Sequence, residues 1–309
     1  MTRLLLALLV ALALPSQLSA TWSIVAFDRN TGRVIIASAT CAATGPDQLM
    51  LVQAVVVPGV GVGANQSSVD GTHANHKLMF EELRKGTDPA EIIRMMEAAD
   101  PRIESRQIGI VDMQGRKAGR SGTGNSAVAM DIQGESEDGI VFSVQGNIIA
   151  SEEALAAAAR VMAGSGTEFI DRVMLAMEAA SDLGGDRRCT CDNVGGALGS
   201  LPCTGRSSST AYILVADPDD TRGSYAEFHP QMPGRQQGDP SHLHAPWNSG
   251  DYFLYIAAYP SNTHPWEDSN PVRTLRLRYD NWKAQGMPRA NGAAPRPAAP
   301  NRMPAATGP

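Results

Sequence analysis

The residue with the most direct chemical consequence is a threonine that follows a removable leader. Arg3 precedes an apolar run from Leu4 to Leu14, and Pro15 to Ala20 follow. A charged start, an apolar core of about 7–15 residues and a small residue at the cut are the features of a secretory signal. The run is shorter than the about 20 apolar residues that a spanning helix needs. Cleavage after Ala20 exports the chain, to a periplasm or beyond the cell, with Thr21 as its mature N-terminus and no membrane attachment. A threonine hydroxyl is a weak nucleophile, but a free α-amine on the same residue can take its proton. That amine has a reference pKa of about 7.7–8.0, close to its working range at neutral pH. Nucleophile and base then share one residue, and no His or Asp is obligatory. The plainer reading is a leader that happens to end before Thr.

Such a nucleophile needs neutral donors around it. Asn147, in a Gly-Asn turn before a Ser-capped helix, has an amide that suits an oxyanion, and equally suits a plain turn. Asn65 and Gln66, at a strand end, are further candidates of that kind. Asp186 and Arg187 read either as a buried pair orienting the Thr21 amine or as an ion pair at a helix end. His73 and His76 share a helical face and His242 and His244 share a loop, without a carboxylate at a metal-ligand spacing. No metal and no cofactor is expected.

Export makes the cysteines legible. Cys189, Cys191 and Cys203 cluster in a Gly-rich loop, and Cys41 stands apart. Loop cysteines in an oxidising compartment usually pair, so one disulfide within the loop, Cys203 with Cys189 or Cys191, is expected. A Cys-x-Cys spacing with one further Cys and no nearby His suits zinc poorly.

The elements that must position these residues can be read from hydrophobic periodicity. Residues 23–27 and 33–39 form a hairpin across an Asx/Gly turn, so the mature chain starts inside a central strand. Residues 51–57 and 59–63 form a second hairpin around Pro58-Gly59. Helices follow at 73–84 and from Asp88, where an N-cap, a first-turn Pro and a capping-box Glu91 stand in order. Strands at 107–112, 116–120 and 140–144 precede two helices capped by Ser151 and Thr167, the second ending at Gly184-Gly185. Late strands at 210–216 and 252–258 and a helix at 272–283 complete the domain, 21–284. The Pro/Ala/Gly/Arg-rich tail, 285–309, cannot bury a core and is expected to be disordered. A formal charge of −6 without basic blocks, and 5% aromatic residues, argue against a nucleic-acid partner.

Several of these stretches, taken in order, resemble the domain-of-unknown-function family 1028. They are Thr21-Trp-Ser-Ile-Val-Ala-Phe-Asp28 with Thr31-Gly32, then Arg106-Gln107 through Asp112 with Gly115, then Gln145-Gly146-Asn147, and finally Gly184-Gly185-Asp186-Arg187-Arg188. The resemblance implies an α+β fold, the four-layer αββα sandwich of N-terminal-nucleophile (Ntn) hydrolases, with Thr exposed at the start. Two departures matter. An insertion, 189–204, precedes a strand start that reads Gly205-Arg206-Ser207-Ser208-Ser209, with Ser where the family usually has Gln. The second strand also has no Lys near Ala37–Thr40, where proteasome-like members of the superfamily place one. Two functions follow as expectations. One is an exported amide-bond hydrolase using Thr21, on a small amide, a peptide or a cell-wall fragment. The other is a binding or assembly module that keeps the fold without turnover. Either is compatible with a homo-oligomer.

Overall fold

The computed structural model describes residues 21–42, 46–190, 206–220 and 252–287. The leader, Cys191 and Cys203, most of the insertion and the tail from 288 lie outside the described residues.

Strands β1 (Thr21–Asp28) and β2 (Val34–Thr40) form the first hairpin, and helix α1 (Pro46–Leu51) leads into β3 (Ala54–Val57) and β4 (Gly61–Ser67). Helices α2 (Ala74–Lys85) and α3 (Pro89–Ala99) precede β5 (Arg106–Asp112), β6 (Lys117–Ser121), β7 (Met130–Glu135) and β8 (Ile140–Asn147). Helices α4 (Glu152–Ala163) and α5 (Phe169–Asp182) are followed by β9 (Thr210–Ala216), β10 (Leu254–Ala258) and α6 (Pro271–Ala284). A six-stranded sheet runs β10-β9-β2-β1-β8-β7 and a four-stranded sheet runs β3-β4-β5-β6. Among the described residues every strand pairing is antiparallel. The class is mixed α+β.

Strand alternation distributes the apolar residues into three clusters. Trp22, Ile24 and Ala26 of β1 pack with Leu155 and Met162 of α4, Val173 and Met177 of α5, and Leu275 of α6. Val25 and Phe27, on the opposite face of the same strand, pack with Val62, Ala64 and Val111 of the smaller sheet. The outer face of that sheet, Val55, Val57, Ile108 and Ile110, meets Met79 and Leu83 of α2 and Ile92 and Met96 of α3. One face of β1 thus packs against helices α4, α5 and α6, and the other against residues of the smaller sheet. Side chains at Thr21 and Ser23 share the inner face with Val25.

Local chemistry explains most boundaries. The Asp88 side chain accepts from the Ala90 amide at 2.9 Å, with Pro89 opening α3. Glu91 pairs with Arg94 on the surface instead of closing a capping box. The cap of α5 is Glu168 rather than Thr167: its carboxylate accepts from the Ile170 and Asp171 amides at 2.9 and 3.0 Å. The run expected as a strand over 51–57 is split, because Leu49, Met50 and Leu51 reach the inter-sheet core from α1. A short apolar run serves a buried helix as well as a buried strand. The partly exposed edge strand β7, with its polar residues, carries no strong strand pattern and was not expected.

Candidate functional site

Thr21 opens β1 and is flanked on both sides by paired strands. Its register partners are Thr40 of β2 and Asn147 of β8. All three side chains face the smaller sheet at one end of the stack, and all three are buried. The Thr21 and Thr40 hydroxyl oxygens are 3.4 Å apart. Asn147 is thus the last residue of a strand, three residues beyond the strand end expected at 144, and not part of a turn. Long central-strand pairing with β1 holds it there.

Beneath Thr21 the inner faces carry amides in place of aliphatic side chains. Their orientations follow from one fixed point. Gln107 Nε2 donates to two main-chain carbonyls, Gly146 at 2.8 Å and Met130 at 3.2 Å, and to Ser121 Oγ at 2.8 Å. Its Oε1 must therefore accept, and it does so from Gln66 Nε2 at 2.8 Å and Asn147 Nδ2 at 3.0 Å. Gln66 Nε2 also donates to the Thr21 carbonyl at 3.1 Å. Gln66 Oε1 then accepts from Ser23 Oγ at 2.7 Å and from Gln53 Nε2 at 2.6 Å. Gln53 Oε1 accepts from the Tyr212 hydroxyl at 2.8 Å, and Gln145 Nε2 donates to Ser23 Oγ at 2.6 Å. Burial pushes the Tyr212 phenol well above its ordinary pKa, so it stays a donor. Room for Gln145 is made by Gly109, whose absent Cβ would fall on the Gln145 side-chain oxygen and 2.7 Å from Ser143 Oγ.

The charged part of the site lies on the other side of Thr40. Asp186 is fully buried and pairs with Arg188, not with Arg187, which is exposed. The expected Asp186–Arg187 pair is corrected for a geometric reason. The Arg187 amide donates to the Ile148 carbonyl at 3.1 Å, turning its side chain out, and Arg188 two residues after Asp186 turns in. Burial raises the Asp186 carboxyl above the usual carboxylate range, against the pull of Arg188 and of the Cys41 and Arg188 amides. Asn65 does not join the site. It points to the opposite face of β4 from Gln66, and its amide nitrogen in the main chain donates to the Gln53 carbonyl at 2.9 Å.

The disulfide is also redrawn. Cys189 bonds Cys41, 148 residues away, with a Cα–Cα distance of 5.8 Å. Of the two expected pairings, Cys203 with Cys189 is overturned, and Cys203 with Cys191 lies outside the described residues. A bond of this kind suits an oxidising compartment. Among the described residues, no helix is long and apolar enough to cross a membrane, and no group of three or more His, Cys, Asp or Glu could hold a metal.

Sequence reading missed Gln53, Gln107, Gln145, Ser23, Thr40, Tyr212 and Arg188. A signal was available for several of them. Ser143, Gln145 and Asn147, like Thr21 and Ser23, are polar at every second position at one end of an otherwise apolar strand. That pattern marks a polar inner face.

The fold and site define a two-sheet α+β protein whose central strand begins at a hydroxyl residue facing an amide-lined space. The family of unknown function DUF1028 matches residues 21–197, and the chain belongs to that family. No curated protein matches it. Among solved structures it is similar to protein SPO2555 from Silicibacter pomeroyi, described under the same family, at 18% identity and a TM-score of 0.57 over 89% of this chain and 97% of that one. The two share a fold. A weaker likeness joins it to HslV from Trypanosoma brucei, at 16% identity and a TM-score of 0.30 over 52% of this chain and 91% of that one.

Proposed function

We propose that the chain is an exported Ntn-type hydrolase of amide bonds, active once residues 1–20 are removed and Thr21 carries a free amine. The observation that carries this reading is the placement of Thr21: first residue of a central strand, side chain facing the smaller sheet, the Thr40 hydroxyl on one side, the Asn147 amide on the other and the Gln66 amide beneath. The three apolar clusters separated by two sheets support the four-layer αββα arrangement. In the reaction the Thr21 oxygen adds to the amide carbonyl while the α-amine takes its proton. The amine then protonates the leaving nitrogen, and water hydrolyses the ester left on Thr21. Asn147 serves the amine as well as the oxyanion. One N–H of its Nδ2 goes to Gln107, and its buried Oδ1, without a partner among the described residues, would accept from an ammonium or amine on Thr21. The substrate is a small amide or peptide, cell-wall fragments included; no nucleic acid and no cofactor is called for, and a homo-oligomer is compatible.

Two features of the sequence favour the non-catalytic module: the second strand has no Lys near Ala37–Thr40, and the strand start has Ser207-Ser208-Ser209 where the family usually has Gln. A single set of variants separates the readings. Protein secreted from its leader is checked by intact mass for a start at Thr21, then assayed against a panel of aryl amides and peptides. Hydrolysis should vanish in Thr21→Ala, persist in part in Thr21→Ser, and vanish when one residue is added before Thr21. The extension converts the amine into an amide that cannot accept a proton. Retention of the leader, or turnover indifferent to the extension, refutes the proposal.

A further inference from the structure

Thr40 stands between Thr21 and a buried ion pair, and the chain staples that pair in place. Arg188 donates Nε and Nη2 to Asp186 at 3.1 and 2.7 Å, and Nη2 also reaches Thr40 Oγ1 at 3.2 Å. The Ala42 amide donates to the same Thr40 oxygen at 3.1 Å. Asp186 accepts in addition from the Cys41 amide at 2.6 Å. Cys41 directly follows Thr40, Cys189 directly follows Arg188, and those two cysteines form the disulfide.

We infer that Arg188 is a positioning residue for Thr21, acting through the Thr40 hydroxyl, and that the Cys41–Cys189 disulfide holds it there. This rests on the reading of Thr21 as nucleophile. The Arg188 and Ala42 N–H groups both donate to Thr40 Oγ1 and so fix the position of that oxygen. The Thr21 hydroxyl donates to that same oxygen across 3.4 Å, so the placement of Thr40 sets where the Thr21 hydroxyl points. The Asp186–Arg188 pair has no net charge, but its positive end is the one turned toward Thr40. In a buried site such a fixed dipole acts with little screening. The second strand lacks a lysine near Thr21, and the structure supplies a cation from the loop after α5 instead. The disulfide joins the residues next to both ends of this relay. Its reduction frees the Arg188 segment to leave Thr40 without touching Thr21 itself.

The test uses the mature protein with its disulfide intact and an alkyne-tagged β-lactone as probe. The Thr21 oxygen bonds to the lactone carbonyl, the ring C–O bond breaks, and the hydroxyl proton ends on the released alkoxide. Acylation is read by mass on the Thr21 peptide. Asp186→Asn/Arg188→Met removes both charges together, so that no buried charge is left alone, and Thr40→Val removes the bridge while keeping the pair. Each should slow acylation by roughly tenfold or more, and the three substitutions together should be no slower than either set, because they cut one relay. Cys41→Ser/Cys189→Ser should also be slow, and dithiothreitol should slow the wild type but not that variant. Rates within about twofold of wild type in folded Thr40→Val, or losses that multiply in the combined variant, overturn the inference. If the charge-free variant fails to fold, Thr40→Val decides alone. A wild-type protein that is never acylated at Thr21 overturns the nucleophile reading as well; a labelled wild type with equally fast variants overturns only the relay.

Discussion

Replacing Gln66 by Leu tests whether the amide network holds the sheets together at the Thr21 end. Leu is close in size, so the perturbation is chemical. Gln66 Oε1 is the acceptor for Ser23 Oγ at 2.7 Å and for Gln53 Nε2 at 2.6 Å, and both donors are buried. Each buried group left unmade costs about 1–3 kcal/mol, or about 2–6 kcal/mol for the two. Against this, the extra apolar surface of a buried Leu returns about 1–2 kcal/mol. The expected net loss is about 3 kcal/mol, which lowers Tm by roughly 5–10 °C in a domain of this size. The assay is urea denaturation with the disulfide intact, comparing midpoints at constant slope so that a changed unfolded state is not mistaken for a weaker fold. Arg94→Ala, which breaks only an exposed pair with Glu91, serves as the control and should stay within about 0.5 kcal/mol of wild type. A Leu variant within about 1 kcal/mol of wild type would refute the reasoning, because the donors would then have found other partners at no cost.

Two further predictions concern His76 and Gly109. His76 is fully buried, and burial, then the neighbouring His73, lower its pKa to about 4, while its Nε2 bonds the Val52 carbonyl at 2.9 Å. Because the folded value lies below the unfolded 6.5, the unfolded chain binds more protons between those values. Stability contributed by neutral His76 is thus complete above pH 6.5 and falls by about 3 kcal/mol as pH drops to about 4; denaturation across that window should show a steeper fall in wild type than in His76→Gln, and equal slopes count against it. Gly109→Ala should cost about 1–3 kcal/mol, since the new methyl meets Gln145 and Ser143 side chains, whereas Gly71→Ala, with nothing within 4 Å, should be neutral by thermal melt.

Much of the architecture was legible because its signals are local. The Asp88-Pro89 start of α3, the Ser151 cap of α4 and the Pro58-Gly59 turn, with Gly59 at a φ of 70°, depend on a few adjacent residues. Alternation and helical spacing likewise located β1, β2, β5, α2 and α5 to within a few residues. The motifs from Thr21 onward also pointed to the DUF1028 family, which residues 21–197 match.

What the sequence alone determined is therefore most of the element inventory, without α1 and β7, and Thr21 as the residue to watch. The tertiary structure decided its company. Asn147 stands beside Thr21 because β8 pairs with β1 in one register across more than a hundred residues of chain. Gln66 was a candidate in sequence together with Asn65, yet only Gln66 meets Thr21, because strand alternation sends the two to opposite faces once β4 is placed under β1. Arg188 replaces Arg187 for the same kind of reason, and Cys41 takes Cys189 from a nearer cluster because β2 ends where the loop after α5 arrives. Such partners are fixed by long-range packing of sheet on sheet. No spacing within the chain encodes them, because the contacts exist only after distant strands have been brought to the same end of the stack.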